Sequence, residues 1–346
     1  FIPGYRGRTF CAVCILDRHL IGVPVVEIEL ALSIHKGKIL GIGSCIGIIA
    51  PATACADFDY TPGIELLHQW GYKTKISKTL KTNEGYLAGS DKLRASELNK
   101  FFADDEIDAI LCFGGGYGCT RILDLLDYDL IRKHPKLLIG FSDVTALHTA
   151  IGQNSRLVTI HGPMLKTLSR KPTQYTISSF CRGLRMSVPL GAFPLPKKHD
   201  LESFYPGRAF GKLIGGNLSV ITSLCGTPYE LKGENSILFL EDIGEDAYAI
   251  DRMLRQLWQN GLLKDIKGLI FGNFSHCQPN KQEPYEFTVK EVLEQYANLA
   301  KVPTIYNFPA VHERTNAFLP LGVNATINIT DDNINFFISE AHCKLR

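Results

Sequence analysis

Leu137-Leu-Ile-Gly-Phe-Ser-Asp-Val-Thr145 joins an apolar run to a polar turn and then to a helical stretch, Val144 to Ile151. Apolar residues without a charge, closed by Gly140, fit a strand buried on both faces of a parallel sheet. The same succession occurs upstream, where Asp108-Ala-Ile-Leu-Cys-Phe113 runs straight into Gly114-Gly-Gly-Tyr-Gly118. Loops after parallel strands gather at the carboxyl rim of an open α/β sheet, so both turns are expected on one rim.

Outward from these stretches, strands and helices alternate. Ile46-Gly-Ile-Ile-Ala50 before Pro51 reads as the first strand. The surrounding run, Ile39 to Ala56, also resembles a signal peptide ending in a cleavage site or lipid-attachment cysteine. Gly41, Gly43, Gly47 and Pro51 interrupt it and no methionine precedes Met164, which favours the strand. Helices are expected over Thr61 to Trp70 and over Ser90 to Phe102, the second opened by a serine cap. Residues 166 to 206, rich in Pro, Lys, Arg and Ser and without a sustained period, look like a crossing between domains. A second α/β block follows: Gly211 to Asn217 leading into a helix over Leu218 to Leu224, a strand Ser236 to Leu240, a helix near Ile250 to Asn260, and Gly268 to Gly272.

A length of 346 residues with 45% hydrophobic content supports two cores more easily than one. The formal charge of +2 arises without a long basic stretch, which argues against nucleic acid as a partner. The ten cysteines are scattered through apolar contexts, as reduced thiols of a reducing compartment would be. Cys11-Ala-Val-Cys14 has no second pair and no His-x-x-x-His to complete a zinc site. Residues 1–36 carry no periodic pattern.

Ser142 stands between strand and helix, where the next backbone N–H meets the positive helix end. That suits a nucleophile. Val144 rather than glycine follows two residues later, so the elbow pattern is only partly met, and Ser142 or Asp143 reads equally well as a helix cap. The Gly114–Gly118 turn fits either a phosphate or the oxyanion of acyl transfer. Neither dinucleotide nor P-loop spacing is present, which favours the oxyanion.

Taken together, Gly115-Gly-Tyr-Gly118, Pro135-Lys-x-x-Ile-Gly-Phe-Ser-Asp143, His161-Gly-Pro163, Ile214-Gly-Gly-Asn-Leu218, Leu240-Glu-Asp242 and His312 with Asn316, Pro320 and Gly322 resemble the LD-carboxypeptidases, peptidase family S66. The resemblance runs from about Ile39 to near the C-terminus. It implies a flavodoxin-like N-terminal domain over 37–165, a linker over 166–206, and a smaller α/β domain of the swivelling type over 207–346. It also implies that Ser142 is the nucleophile, that Glu241 orients His312, and that His312 serves as general base and then general acid. The backbone amides of Gly115 and Asp143 would form the oxyanion hole. His161, Asn217 and Arg314 are candidates for contacting substrate, Arg314 by pairing with the substrate's free carboxylate. The implied reaction releases terminal D-alanine from a murein tetrapeptide in peptidoglycan recycling, in the cytoplasm, by a homodimer, with no metal or cofactor and no membrane. The alternatives are a related immunity-type peptidase that cleaves peptidyl or aminoacyl nucleotides, and a non-catalytic peptide-binding protein. Two departures stand out: Gly114 where the family commonly has arginine, and Val311 where it has glycine.

Overall fold

Two sheets organise the chain, and the first is built as the apolar runs require. In the computed structural model, residues 33–55, 57–277, 287–310 and 315–346 are described. All but Ser33 belong to one compact unit, Ile34–Arg346. Strands β1 (Cys45–Ile49), β2 (Lys73–Ile76), β3 (Ala109–Cys112), β4 (Leu137–Gly140) and β5 (Thr159–His161) lie parallel in the order 2-1-3-4-5. This is the flavodoxin-like order. Successive strand residues point to opposite faces. Ile110, Cys112 and Leu138 enter one core layer with Ala95, Leu98, Phe101 and Phe102 of the helix Asp91–Ala103. Ala109, Leu111, Leu137 and Ile139 enter the other layer with Leu67 of the helix Thr61–Gln69.

The second sheet comprises β6 (Gly191–Ala192), β7 (Glu202–Tyr205), β8 (Gly207–Asn217), β9 (Ser236–Ile243), β10 (Gly268–Ser275), β11 (Thr304–Tyr306), β13 (Asn324–Ile329) and β14 (Ile334–Ile338). Its order is β6-β14-β13-β8-β9-β10-β11-β7, parallel from β8 to β11 and antiparallel on either side. Ile250, Leu254 and Leu257 of the helix Ala247–Gln259, one to two turns apart, face Leu238, Leu240, Leu269 and Phe271 of β9 and β10.

Two sequence expectations change. Residues 166–206 are more than a crossing: they hold the helix Gln174–Arg185 and both outermost strands of the second sheet, β6 and β7. And β12 (Leu319–Leu321), expected within the C-terminal domain, is the antiparallel edge strand of the first sheet, with Leu319 opposite His161. Among the described residues no helix is long and apolar enough to cross a membrane.

Candidate active site

The end of β4 makes the turn that holds Ser142. Phe141 is extended (φ −152°, ψ −171°), Ser142 has φ 63°, and a short 3-10 turn, Ser142–Val144, leads into the helix Thr145–Asn154. A side chain in left-handed backbone costs about 1–2 kcal/mol, and such strain persists only where the surroundings enforce it. They do so from two sides. Val144 is fully buried against Gly140, where a Cβ would lie 2.8 Å from its Cγ1. The turn therefore tolerates valine where the elbow pattern has glycine, because Gly140 alone supplies the room.

The loop after β3 closes on the same turn. A Cβ on Gly115 would lie 2.7 Å from Ser142 Cβ, 2.8 Å from its Oγ and 3.2 Å from the Asp143 nitrogen, so only glycine brings the backbone this close. The buried Asp143 carboxylate accepts the Cys119 N–H at 2.8 Å and ties the end of the glycine-rich loop to the nucleophile turn. Burial raises its pKa above the usual carboxylate range. Beneath the rim, the fully buried Arg94 donates to the carbonyls of Pro51 (2.6 Å), Gly118 (2.8 Å) and Gly89 (3.2 Å) and pairs with Asp91. Sequence reading missed Arg94, which looks like one more charge on a surface helix. At Gly114, an added Cβ would meet only Lys166 Cδ, at 3.7 Å.

From the second sheet, β8 reaches the nucleophile helix. A Cβ on Gly216 (φ +144°) would stand 2.5 Å from Thr145 Oγ1, and the Asn217 N–H donates to that hydroxyl at 3.0 Å. This close approach is what the Ile214-Gly-Gly-Asn stretch provides. The Asn217 side chain caps the helix Leu218–Ser223, accepting from Val220 N–H and Ser219 Oγ, while its amide donates to Asp242 at 3.0 Å. Asn217 thus ties β8 to the nucleophile helix and to Asp242.

Glu241, next to Asn217 in the β8–β9 register, is fully buried, and a Cβ on Gly272 would lie 3.0 Å from its Cβ and 2.8 Å from the Ala310 carbonyl. Asp242 points to the opposite face and accepts from Asn217, Ser219 and Ile243. Burial and the Glu241 charge push its pKa up to about 6. The strand pleat thereby separates the two adjacent carboxylates. His161 is fully buried, its ring 5.8 Å from that of Phe141 and 5.0 Å from that of Phe239, edge to face with the latter. It packs the two halves together. His312 and Arg314, like Val311, lie outside the described residues, as does the Cys11–Cys14 pair.

Ser142, Gly115, Phe113, Lys166, Arg170 and Ile243 border one cleft of about 430 Å³. Two α/β domains with a strained serine on the carboxyl rim of a flavodoxin-like sheet define the class. Residues 46–162 match the LD-carboxypeptidase N-terminal domain and residues 210–327 the LD-carboxypeptidase C-terminal domain. The chain belongs to this family of serine-type peptidases. It is 39% identical over 298 residues to the probable murein peptide carboxypeptidase of Bacillus subtilis, covering 86% of this chain and 92% of that protein. It is 31% identical over 336 residues to the microcin C7 self-immunity protein MccF of Escherichia coli, covering 88% and 95%. MccF in complex with aspartyl sulfamoyl adenosine superposes with TM-score 0.82 at 26% identity, over 89% of this chain and 99% of that one. Muramoyltetrapeptide carboxypeptidase from Oxalobacter formigenes gives 0.75 at 26% identity, over 86% and 99%.

Proposed function

We propose that the protein is a murein tetrapeptide carboxypeptidase in which Ser142 attacks the carbonyl of an L,D-peptide bond and releases terminal D-alanine. The observation that carries this reading is the left-handed Ser142 with the Gly115 backbone against its Cβ and Oγ at the mouth of a cleft. In the proposed reaction His312 takes the Ser142 proton as Oγ bonds to the carbonyl carbon, and ionised Glu241 stabilises the imidazolium. The N–H groups of Gly115 and Asp143 receive the oxyanion. The C–N bond breaks as His312 returns the proton to the departing amine. Water, deprotonated by His312, then cleaves the acyl-enzyme and restores Ser142. The site draws on both halves of the chain, in a cytoplasmic homodimer that serves peptidoglycan recycling.

A second reading, cleavage of an aminoacyl nucleotide, has one observation in its favour. Tyr86 and Tyr117 expose 60% and 47% of their surface beside the glycine-rich loop, with ring centroids 5.9 Å apart. Their planes are inclined by 55°, so they offer a nucleobase one face at a time rather than a parallel slot. Mass spectrometry of purified protein with an L,D-linked tetrapeptide, and separately with aspartyl sulfamoyl adenosine, decides between the two. Loss of one D-alanine, abolished by Ser142→Ala, is the expected result. An intact peptide beside a cleaved nucleotide conjugate overturns it in favour of the second reading.

A further inference from the structure

The cleft that holds Ser142 has a cationic wall that meets no carboxylate among the described residues. Lys166 follows β5 on the short helix Leu165–Leu168, and its N–H donates to the Phe113 carbonyl at 2.9 Å, which fixes it where β3 ends. Its stem crosses Gly114, and its Nζ stands 5.7 Å from the centroid of the Phe58 ring. One turn on, the Arg170 guanidinium lies 5.3 Å from the same centroid. Phe58 packs edge to face on Phe113, 5.5 Å between centroids, so an aromatic bracket seats both cations. Among the described residues neither Lys166 nor Arg170 has a carboxylate partner, in contrast to Lys36, Lys75, Arg121, Lys232 and Lys290. Burial and the neighbouring Arg170 charge hold the Lys166 pKa below the ordinary lysine value.

Two adjacent cations, one half-buried, gain by admitting an anion: a charge-assisted bond forms and their mutual repulsion is relieved. An enzyme that removes only the last residue must recognise the one group that marks it, a free carboxylate. We propose that Lys166 and Arg170 form the subsite for the terminal carboxylate of the residue to be released. This assignment rests on the carboxypeptidase reading above. Lys166 supplies a close ammonium and the more exposed Arg170 draws the carboxylate in from solvent.

The test uses the full chain carrying Ser142→Ala, which blocks turnover, titrated calorimetrically with L-Ala-γ-D-Glu-L-Lys-D-Ala and with its C-terminal amide. The acid is expected to bind at least about tenfold more tightly than the amide. Adding Lys166→Ala and Arg170→Ala is expected to bring the acid down to the affinity of the amide, with the amide unchanged, while Lys166→Arg retains the preference. An acid preference that survives both substitutions, or that is missing from the Ser142→Ala protein, overturns the subsite. Thermal melts confirm that each variant is folded. Turnover of the same peptide by the unsubstituted protein separates the two readings. No turnover with the acid preference intact refutes the carboxypeptidase reading and leaves the carboxylate site standing.

Discussion

Ser142 carries an unfavourable backbone that a cap has no need of, and this distinguishes the two roles its sequence left open. The hydroxyl caps Ser90 and Thr173 sit in extended backbone and accept a hydrogen bond from the first turn; Ser142 does neither. Its strain has a measurable consequence. Ser142→Ala and Ser142→Gly both remove the hydroxyl, but only glycine adopts φ 63° without a Cβ penalty. The glycine variant is therefore expected to be about 0.5–1 kcal/mol more stable than the alanine variant, after the added freedom of its unfolded chain is allowed for. Paired urea denaturation curves measure it, and a glycine variant less stable than the alanine one would refute the strain. At this scale the sequence was informative where a motif encodes a close contact, as at Gly115. It was silent where the deciding neighbour is remote: the pleat that separates Glu241 from Asp242, and the Phe58 ring that gathers Lys166 and Arg170, have no local signature.

The helix Thr145–Asn154 is held to the strand before it by His148, which donates from Nε2 to the Gly140 carbonyl at 2.8 Å. Among the described residues its Nδ1 has no partner, so a second proton would have no acceptor, and burial pushes the pKa down to about 4. A histidine that titrates near 6.5 when unfolded and near 4 when folded favours the neutral native state. Its contribution is complete above pH 6.5 and is lost as the pH falls toward 4. At pH 5 the loss reaches about 2 kcal/mol. His148→Gln keeps a donor and does not titrate, so unfolding between pH 7.5 and 5 is expected to weaken less in the variant than in the parent by that amount. Parallel pH profiles would refute it. Element boundaries show why some helices and strands could be read and others could not. The strand that opens at Leu137 is apolar by composition. The helix Gln174–Arg185 buries Thr176, Ser179, Phe180, Gly183 and Leu184 at helical spacing, but three of these five are not hydrophobic, so the period is invisible to an apolar pattern. The strict alternation of Asn324-Ala-Thr-Ile-Asn-Ile329 was there to be found, and it forms β13 with alternate residues buried.

Across the whole molecule, a two-domain reading is correct for the sheets and incomplete for the chain path. Leu319-Pro-Leu321 gives little sign of a strand, since proline lacks the N–H that a central strand needs. At the sheet edge that loss is tolerated, and these residues close the N-terminal sheet from the C-terminal half, Pro320 opposite Ile160. Two further joints lie close by: the Asn217 N–H on Thr145, and the His161 ring between Phe141 and Phe239. Phe318, fully buried, adds a fourth by stacking edge to face on Phe180 in the helix that the crossing segment contributes. A sheet that needs a strand from the other domain cannot complete its hydrogen bonding alone, so the halves are expected to unfold together. Differential scanning calorimetry of the full chain should then give one transition, with calorimetric and van't Hoff enthalpies in agreement. Two separated transitions, the first leaving the N-terminal sheet intact, would mean that the β12 pairing is dispensable and that docking of the halves is a weak equilibrium. With one transition, the Thr145 hydroxyl on the helix behind Ser142 meets Asn217 in every folded molecule, and substitutions at this joint should lower stability and activity in step.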